Sequence, residues 1–168
     1  CIFYFQILIK QKLSFSQDDL KINGHSIEVR VYAEDPMNNF LPDIGRLTTY
    51  RRPQGNGIRV DDGFEEGMDI PIYYDPMIAK LVVHAKNREE AISRMLRAIA
   101  EFHITGVTTT LDFCRFVLEH DAFVSGNFDT HFVKNHFKPE LLTAHNEAEY
   151  AVAGMLAASY FSGLNGKF

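Results

Sequence analysis

Apolar and polar residues alternate along residues 25–33. Ile27, Val29 and Val31 fall on one side of this segment, and mostly polar side chains fill the positions between them. A period of two residues predicts a β-strand with one face buried and the other in solvent. We expect the strand to end near Pro36, which has no amide hydrogen to donate to a sheet.

The same alternation, bounded by residues that favour turns, predicts further short strands along the next part of the chain. Since the connections are short, neighbouring strands are expected to pair antiparallel. The expected ranges are 46–52, 58–61, 68–74 with an interruption at Pro71, and 80–86.

The period changes to three and four residues after Asn87, and this change predicts an α-helix. Asn87 and Glu90 have the spacing of a capping-box variant at its start, and Gly106 is expected to close its far end. The predicted fold class is therefore α+β, a mostly antiparallel β-sheet flanked by α-helices. Further helices are predicted over residues 110–119 and, as a short one, from Asp129 or Thr130.

Composition divides the chain into three expected parts. Residues 1–22 begin with an apolar run too short to cross a bilayer and are interpreted as the tail of a preceding domain and its link. Residues 23–139 hold the strands and helices and are expected to form one domain. Residues 140–168 are Ala-rich and are interpreted as a helical linker toward a following region.

The overall charge and the cysteines exclude several classes of function. The net charge is -5 and the 17 Lys and Arg residues are scattered, a pattern that argues against nucleic-acid binding. Cys1 and Cys114 form no CxxC motif, so we expect no metal site and no disulfide framework. A reducing, cytoplasmic location fits this cysteine usage best, and no membrane partner is expected.

Generic catalytic patterns such as GxSxG, HExxH, the P-loop and GxGxxG do not occur. Four segments nevertheless follow one another in an informative order: GHSIEVRVYAEDP at 24–36, LPDIG at 41–45, GIRV at 57–60 and YYDPMIAKL at 73–81. In order and spacing they are similar to the C-terminal domain of biotin carboxylases. The resemblance extends from about Leu13 to Pro139.

The resemblance implies a sheet flanked by helices that packs against an ATP-grasp domain, the part that supplies most of the active site. It also implies a ligase reaction, in which ATP, with Mg, and bicarbonate form carboxyphosphate and biotin on a carrier is then carboxylated. Residues 29–33 and 72–77 look closest to α subunits of acyl-CoA carboxylases of the propionyl-CoA and acetyl-CoA type. Pyruvate and urea carboxylases share much of this pattern.

Arg30 matches the active-site arginine of the family's Glu-x-Arg motif, and Glu28 supports the same site. A fixed guanidinium, always charged, can stabilise the negative charge that gathers on the ureido oxygen of biotin, and can also hold bicarbonate or phosphate. The strand period alone would make both residues ordinary solvated charges. The motif match favours the catalytic interpretation.

Other positions acquire roles only through the resemblance. Asp75 matches a carboxylate near the biotin site, although an Asp before Pro also commonly starts a turn. Arg59 matches a dimer contact of bacterial biotin carboxylases, and Asn56 stands where some of them have an aromatic residue. Thr130 and His131 lie where the family places residues beside the adenine of ATP, although His131 also suits a helix start or an exposed surface.

The family's glycine-rich lid, magnesium-binding carboxylates and bicarbonate base belong to the ATP-grasp part, and the chain has no Ala-Met-Lys-Met biotinylation sequence. We therefore expect the isolated chain to be inactive. The implied partners are the rest of the biotin carboxylase, a biotin carboxyl carrier domain, a second copy of this domain and a carboxyltransferase subunit. The alternative is a non-catalytic dimerisation or docking module, or a gene relic.

Overall fold

The structure, a computed structural model, describes residues 12–13, 15–71 and 75–164. The apolar start at 1–10 and part of the predicted link at 13–15 lie outside these residues. The strands are β1 (His25–Tyr32), β2 (Glu34–Asp35), β3 (Leu41–Pro42), β4 (Thr49–Arg51), β5 (Ile58–Asp62), β6 (Met77–Ala85) and β7 (His103–Thr105). The helices are α1 (Arg88–Glu101), α2 (Leu111–Glu119), α3 (Asp121–Ser125), α4 (Phe132–His136) and α5 (Glu140–Leu164).

The main sheet has three antiparallel strands in the order β1-β6-β5, so that β1 lies at one edge. In its register Arg30 pairs with Lys80, and Lys80 pairs with Asp61 on the other side. Two further antiparallel pairs, β2 with β3 and β4 with β7, form separate two-stranded sheets. The predicted α+β class with antiparallel sheet is confirmed.

One face of the main sheet packs against α1 and forms the core. The predicted inward residues of β1 are buried, with exposed fractions of 9% for Ile27, 8% for Val29 and 0% for Val31. Leu81 on the central strand is also 0% exposed. The helix contributes the apolar side chains Ala91, Ile92, Met95, Ala98 and Ile99 to the same cluster.

Helix α1 begins as predicted and ends differently. The Asn87 side chain accepts a hydrogen bond from the backbone N–H of Glu90 at 2.9 Å, which satisfies a donor that the first helical turn leaves free. The helix ends at Glu101, Phe102 follows it in an extended conformation, and the unpredicted strand β7 comes next. Gly106 has a φ of 98° beyond β7, where an added Cβ would meet the carbonyl oxygen of Arg46, so its predicted role as helix closure was wrong.

Three other predicted elements differ from the observed ones. The predicted strand at 46–52 is shortened to β4, and that at 68–74 is reduced to an isolated bridge between Arg46 and Asp69, with 72–74 outside the described residues. The short third helix begins at Phe132 rather than at 129 or 130, and α3 precedes it unpredicted. Residues 45–47 and 67–70 are joined by several backbone hydrogen bonds, such as that from the Ile70 amide to the Gly45 carbonyl at 2.9 Å, without forming a regular strand pair.

The last helix, α5, extends from Glu140 to Leu164, within the Ala-rich range at 140–168. Residues 151–160 are exposed, including Met155 and Leu156, each 67% exposed. Within the described ranges, no helix is both long enough and apolar enough to cross a membrane.

Candidate functional site

The uncovered face of the main sheet carries the charged residues of β1. Arg30 and Glu28 point to this face because residues two apart in a strand share a side. The Arg30 Nε lies 3.4 Å from the Glu28 Oε1, and the two side chains are 59% and 44% exposed. The structure thus brings together the two residues that the sequence motif placed in one site, with the guanidinium open to a ligand.

Arg30 remains a cation in this setting. A hydrogen bond with Tyr32 is the main cause that raises the pKa of Arg30, and the hydrogen bond and negative charge of Glu28 raise it further. Across the sheet its partner is Lys80, a second positive side chain. Like charges at paired positions repel each other, so an anion near this end of the face would relieve the repulsion.

The backbone at Arg30 is held by a residue far along the chain. The Thr110 Oγ1 accepts a hydrogen bond from the Tyr32 amide at 3.1 Å and donates one to the Arg30 carbonyl at 3.4 Å. The Thr110 amide donates to the Tyr32 carbonyl at 3.1 Å. Sequence reasoning did not assign Thr110 to the site, because no local pattern connects residues 30 and 110.

Asp75 lies just before β6, near the end of β1. Its carboxylate accepts a hydrogen bond from the Met77 amide at 3.1 Å, the geometry of an Asx turn. Partial burial raises the pKa of Glu34, and the negative charge of Asp75 raises it further, so these two carboxylates are neighbours. Such a pair favours a cationic side chain between or beside its members.

Arg59 lies on β5, on the same face as Glu28 and Arg30. Its guanidinium contacts the Asp61 Oδ2 at 3.1 Å and is 70% exposed. Asn56 is exposed in the loop between β4 and β5, where it lines an open groove of about 870 Å³ together with side chains of α1. Both predicted dimer-contact residues are therefore accessible in the described part of the chain.

Thr130 and His131 lie in the loop that leads into α4. The His131 Nδ1 is 3.5 Å from the Asp129 Oδ2, and the His131 ring is 67% exposed. The His131 amide donates to Asp129 at 2.8 Å, which orders the start of α4. Among the contacts of the described residues, none joins His131 to Arg30.

Other groups that often carry chemistry are held in neutral or structural roles. Burial raises the pKa of Cys114 to about 12, against an opposing hydrogen bond from Thr110, so the thiol stays protonated near neutral pH. Among the described residues, no cluster of three or more His, Cys, Asp or Glu side chains is arranged to hold a metal ion. The charged face around Arg30 is therefore the strongest candidate site.

The fold is an α+β domain in which a helix covers one face of an antiparallel sheet and an accessible arginine lies on the other face. Comparisons with known proteins show the family to which this domain belongs. The family model of the biotin carboxylase C-terminal domain matches residues 28–135. This chain belongs to that family. The predicted resemblance is confirmed.

Named relatives are biotin carboxylases or chains of biotin-dependent carboxylases. Biotin carboxylase 1 of Bacillus subtilis is 46% identical over 125 residues, which cover 74% of this chain and 28% of that protein. The mitochondrial propionyl-CoA carboxylase alpha chain of Homo sapiens is 41% identical over 155 residues, which cover 88% of this chain and 21% of that protein. The chain thus spans about a quarter of the length of these relatives.

A solved structure agrees with the same assignment. The biotin carboxylase domain of the Hydrogenobacter thermophilus 2-oxoglutarate carboxylase superposes with a TM-score of 0.75 at 40% identity, covering 78% of this chain and 29% of that one. That domain was crystallised as a dimer in complex with MgADP, ADP and bicarbonate.

Proposed function

We propose that this domain acts within a biotin carboxylase, which uses ATP and bicarbonate to carboxylate biotin on a carrier protein. The observation that carries the proposal is the accessible guanidinium of Arg30 on a strand whose opposite face is buried. Family membership supports the reaction type. By resemblance, residues 29–33 and 72–77 look closest to acyl-CoA carboxylases of the propionyl-CoA or acetyl-CoA type, and pyruvate and urea carboxylases share much of this pattern.

Arg30 is the residue that we assign to the chemistry. When N1 of biotin attacks CO2, negative charge gathers on the ureido oxygen, and a guanidinium aimed at that atom stabilises it. The buried side chains on either side of Arg30 fix the strand, so the guanidinium needs little reorganisation. Glu28 orients it through the contact described above, and Lys80 adds positive charge on the same face.

Asp75 has a supporting role in this proposal. Its carboxylate and that of Glu34 create a local negative charge, which suits a basic residue from the N-terminal part of a biotin carboxylase. That contact would fix the border between the two parts near the biotin site. The turn that Asp75 forms with Met77 is compatible with this role, because it uses only one carboxylate oxygen.

We assign ATP contacts to Thr130 and His131, whose exposed side chains can lie beside an adenine ring. Magnesium, which shields phosphate charge when bound, would be held mainly by the ATP-grasp part. The remaining partners are a biotin carboxyl carrier domain, a second copy of this domain through Arg59 and Asn56, and a carboxyltransferase subunit. A cytoplasmic location stays a prediction, and we propose that the isolated chain is inactive.

The test compares Arg30→Ala with the unchanged residue in a full-length biotin carboxylase that carries this domain. Turnover of free biotin, measured with ATP and bicarbonate, is expected to fall by about 10²–10³-fold, the usual cost of removing a donor to a developing oxyanion. Arg97→Ala is the matched control, because Arg97 is similarly exposed and paired with a carboxylate, Glu101, at 3.9 Å. It should leave turnover unchanged.

Unchanged turnover in Arg30→Ala would remove Arg30 from the mechanism and would favour the docking-module alternative. For the isolated chain, bicarbonate-dependent ATP hydrolysis above background would contradict the proposed inactivity.

A further inference from the structure

The edge of the main sheet at β1 has no neighbouring strand within the described residues, since β6 pairs only with its inner side. In an antiparallel strand the N–H and C=O of one residue point to the same side, and successive residues alternate. The Ala33 amide bonds to the Pro76 carbonyl at 2.9 Å, so the odd-numbered residues at this end point toward β6. Arg30 and Tyr32 therefore point their backbone groups outward.

Thr110 meets these outward groups. Its side-chain oxygen contacts the Tyr32 amide and the Arg30 carbonyl, and its amide contacts the Tyr32 carbonyl. A single residue thus does for two positions of β1 what a neighbouring strand would do. The support falls where the pairing of β1 with β6 becomes irregular, between Val31 and Tyr32.

The hydroxyl of Thr110 does not cap the helix that follows it. Thr110 is the residue before α2, where a threonine commonly caps the first turn with its side chain, yet its side chain makes no cap hydrogen bond there. Thr110 is also 5% exposed, so its hydroxyl has little access to water. This buried hydroxyl also contacts the Cys114 thiol, and its hydrogen bonds to the Tyr32 amide and the Arg30 carbonyl restrain the backbone from which the guanidinium extends.

From this geometry we propose that Thr110 is a positioning residue for Arg30: it acts on the reaction by holding the backbone of the strand that carries the guanidinium. The inference rests on the proposed function of Arg30. It makes no claim that Thr110 touches biotin or ATP. Loss of the hydroxyl frees the carbonyl of Arg30 and the amide of Tyr32, so the guanidinium is aimed less well at the transition state.

The test uses Thr110→Val, which keeps the branched shape and removes the hydroxyl, in the full-length biotin carboxylase. We expect kcat for free biotin to fall about tenfold, since a small misplacement of a reacting group has effects of this order, while the KM for ATP stays unchanged. Thr110→Ser restores the hydroxyl and should restore kcat. Thr105→Val is the control, because it removes a hydroxyl that pairs with Thr48 at 2.8 Å on the β4–β7 pair.

A double variant separates this inference from the proposed function. In the Arg30→Ala background, Thr110→Val should lower kcat no further, because the group that it positions is gone. If Arg30→Ala alone has no effect, the proposed function fails. If Arg30→Ala lowers kcat and Thr110→Val does not, or if the two losses multiply, the positioning role is overturned. Should the Val variant not fold, Thr110→Ala carries the same expectations.

Discussion

The two faces of the main sheet differ in what their residues do. On the covered face, Val31, Leu81 and Val83 are fully buried against α1. On the other face, Arg30 and Arg59 form ion pairs with acidic residues two positions away and remain mostly exposed. The same strands therefore stabilise the fold with one set of side chains and present charge with the alternate set.

The sharpest way to test the covered face is Leu81→Ala. Leu81 lies on the central strand, 0% exposed, and its loss leaves a cavity between the sheet and α1. We expect the free energy of unfolding to fall by about 2–5 kcal/mol, measured by urea titration followed with far-UV circular dichroism. A loss near that of a surface change would contradict the assignment of this face as the core.

A smaller effect on stability is expected for Tyr50→Phe, which removes a hydrogen-bonded hydroxyl from a buried side chain. The Tyr50 hydroxyl donates to the Asp62 carboxylate at 2.7 Å, and Tyr50 is 8% exposed. Losing this hydrogen bond at pH 7 should cost about 1 kcal/mol of unfolding free energy. Burial first, and then the Asp62 hydrogen bond and charge, raise the pKa of Tyr50 above its ordinary value of 10.0.

The sign of the pH dependence follows from that direction. The folded state holds the phenolic proton of Tyr50 more tightly than the unfolded state does. The stabilisation by this protonated hydroxyl is therefore complete below pH 10 and is lost as the pH rises above 10. The advantage of the wild type over Tyr50→Phe should therefore shrink as the pH rises from about 10 to about 12, in paired urea titrations. A constant difference across this range would show that the hydroxyl is not held as described.

The smallest effect on stability is expected for Arg30→Ala. Its ion pair with Glu28 is exposed, and such pairs contribute little, so the unfolding free energy should change by no more than about 0.5 kcal/mol. The same substitution is expected to lower turnover strongly. A large loss of stability in urea titration would contradict the contrast between the two faces, because it would give the exposed face a structural role.

Sequence reasoning succeeded where structure depends on neighbours along the chain. The alternation around Val29 was enough for β1 and its buried side, and Asn87 marked the start of α1. The position of Arg30 on the open face followed from the same alternation, and the motif around it identified the family. In each case the residues that decide the outcome lie within a few positions of one another.

The parts that were missed depend on contacts between distant residues. Strand β7 exists because Ile104 pairs with Tyr50, and Gly106 adopts a positive φ because the backbone near Arg46 passes close to it. The support of Arg30 by Thr110 joins positions 80 residues apart. Neither hydrophobic period nor turn composition carries information about such pairings.

The pairing of Arg30 with Lys80 also has a consequence for biosynthesis. β1 leaves the ribosome before β6, so its backbone has no sheet partner until the chain has been extended past residue 85. The hydrogen bond between the Arg30 carbonyl and Thr110 forms later still, because Thr110 is synthesised after β6. Contacts between such distant residues slow folding, so the strand that bears the proposed catalytic group is made before the residues that complete its contacts.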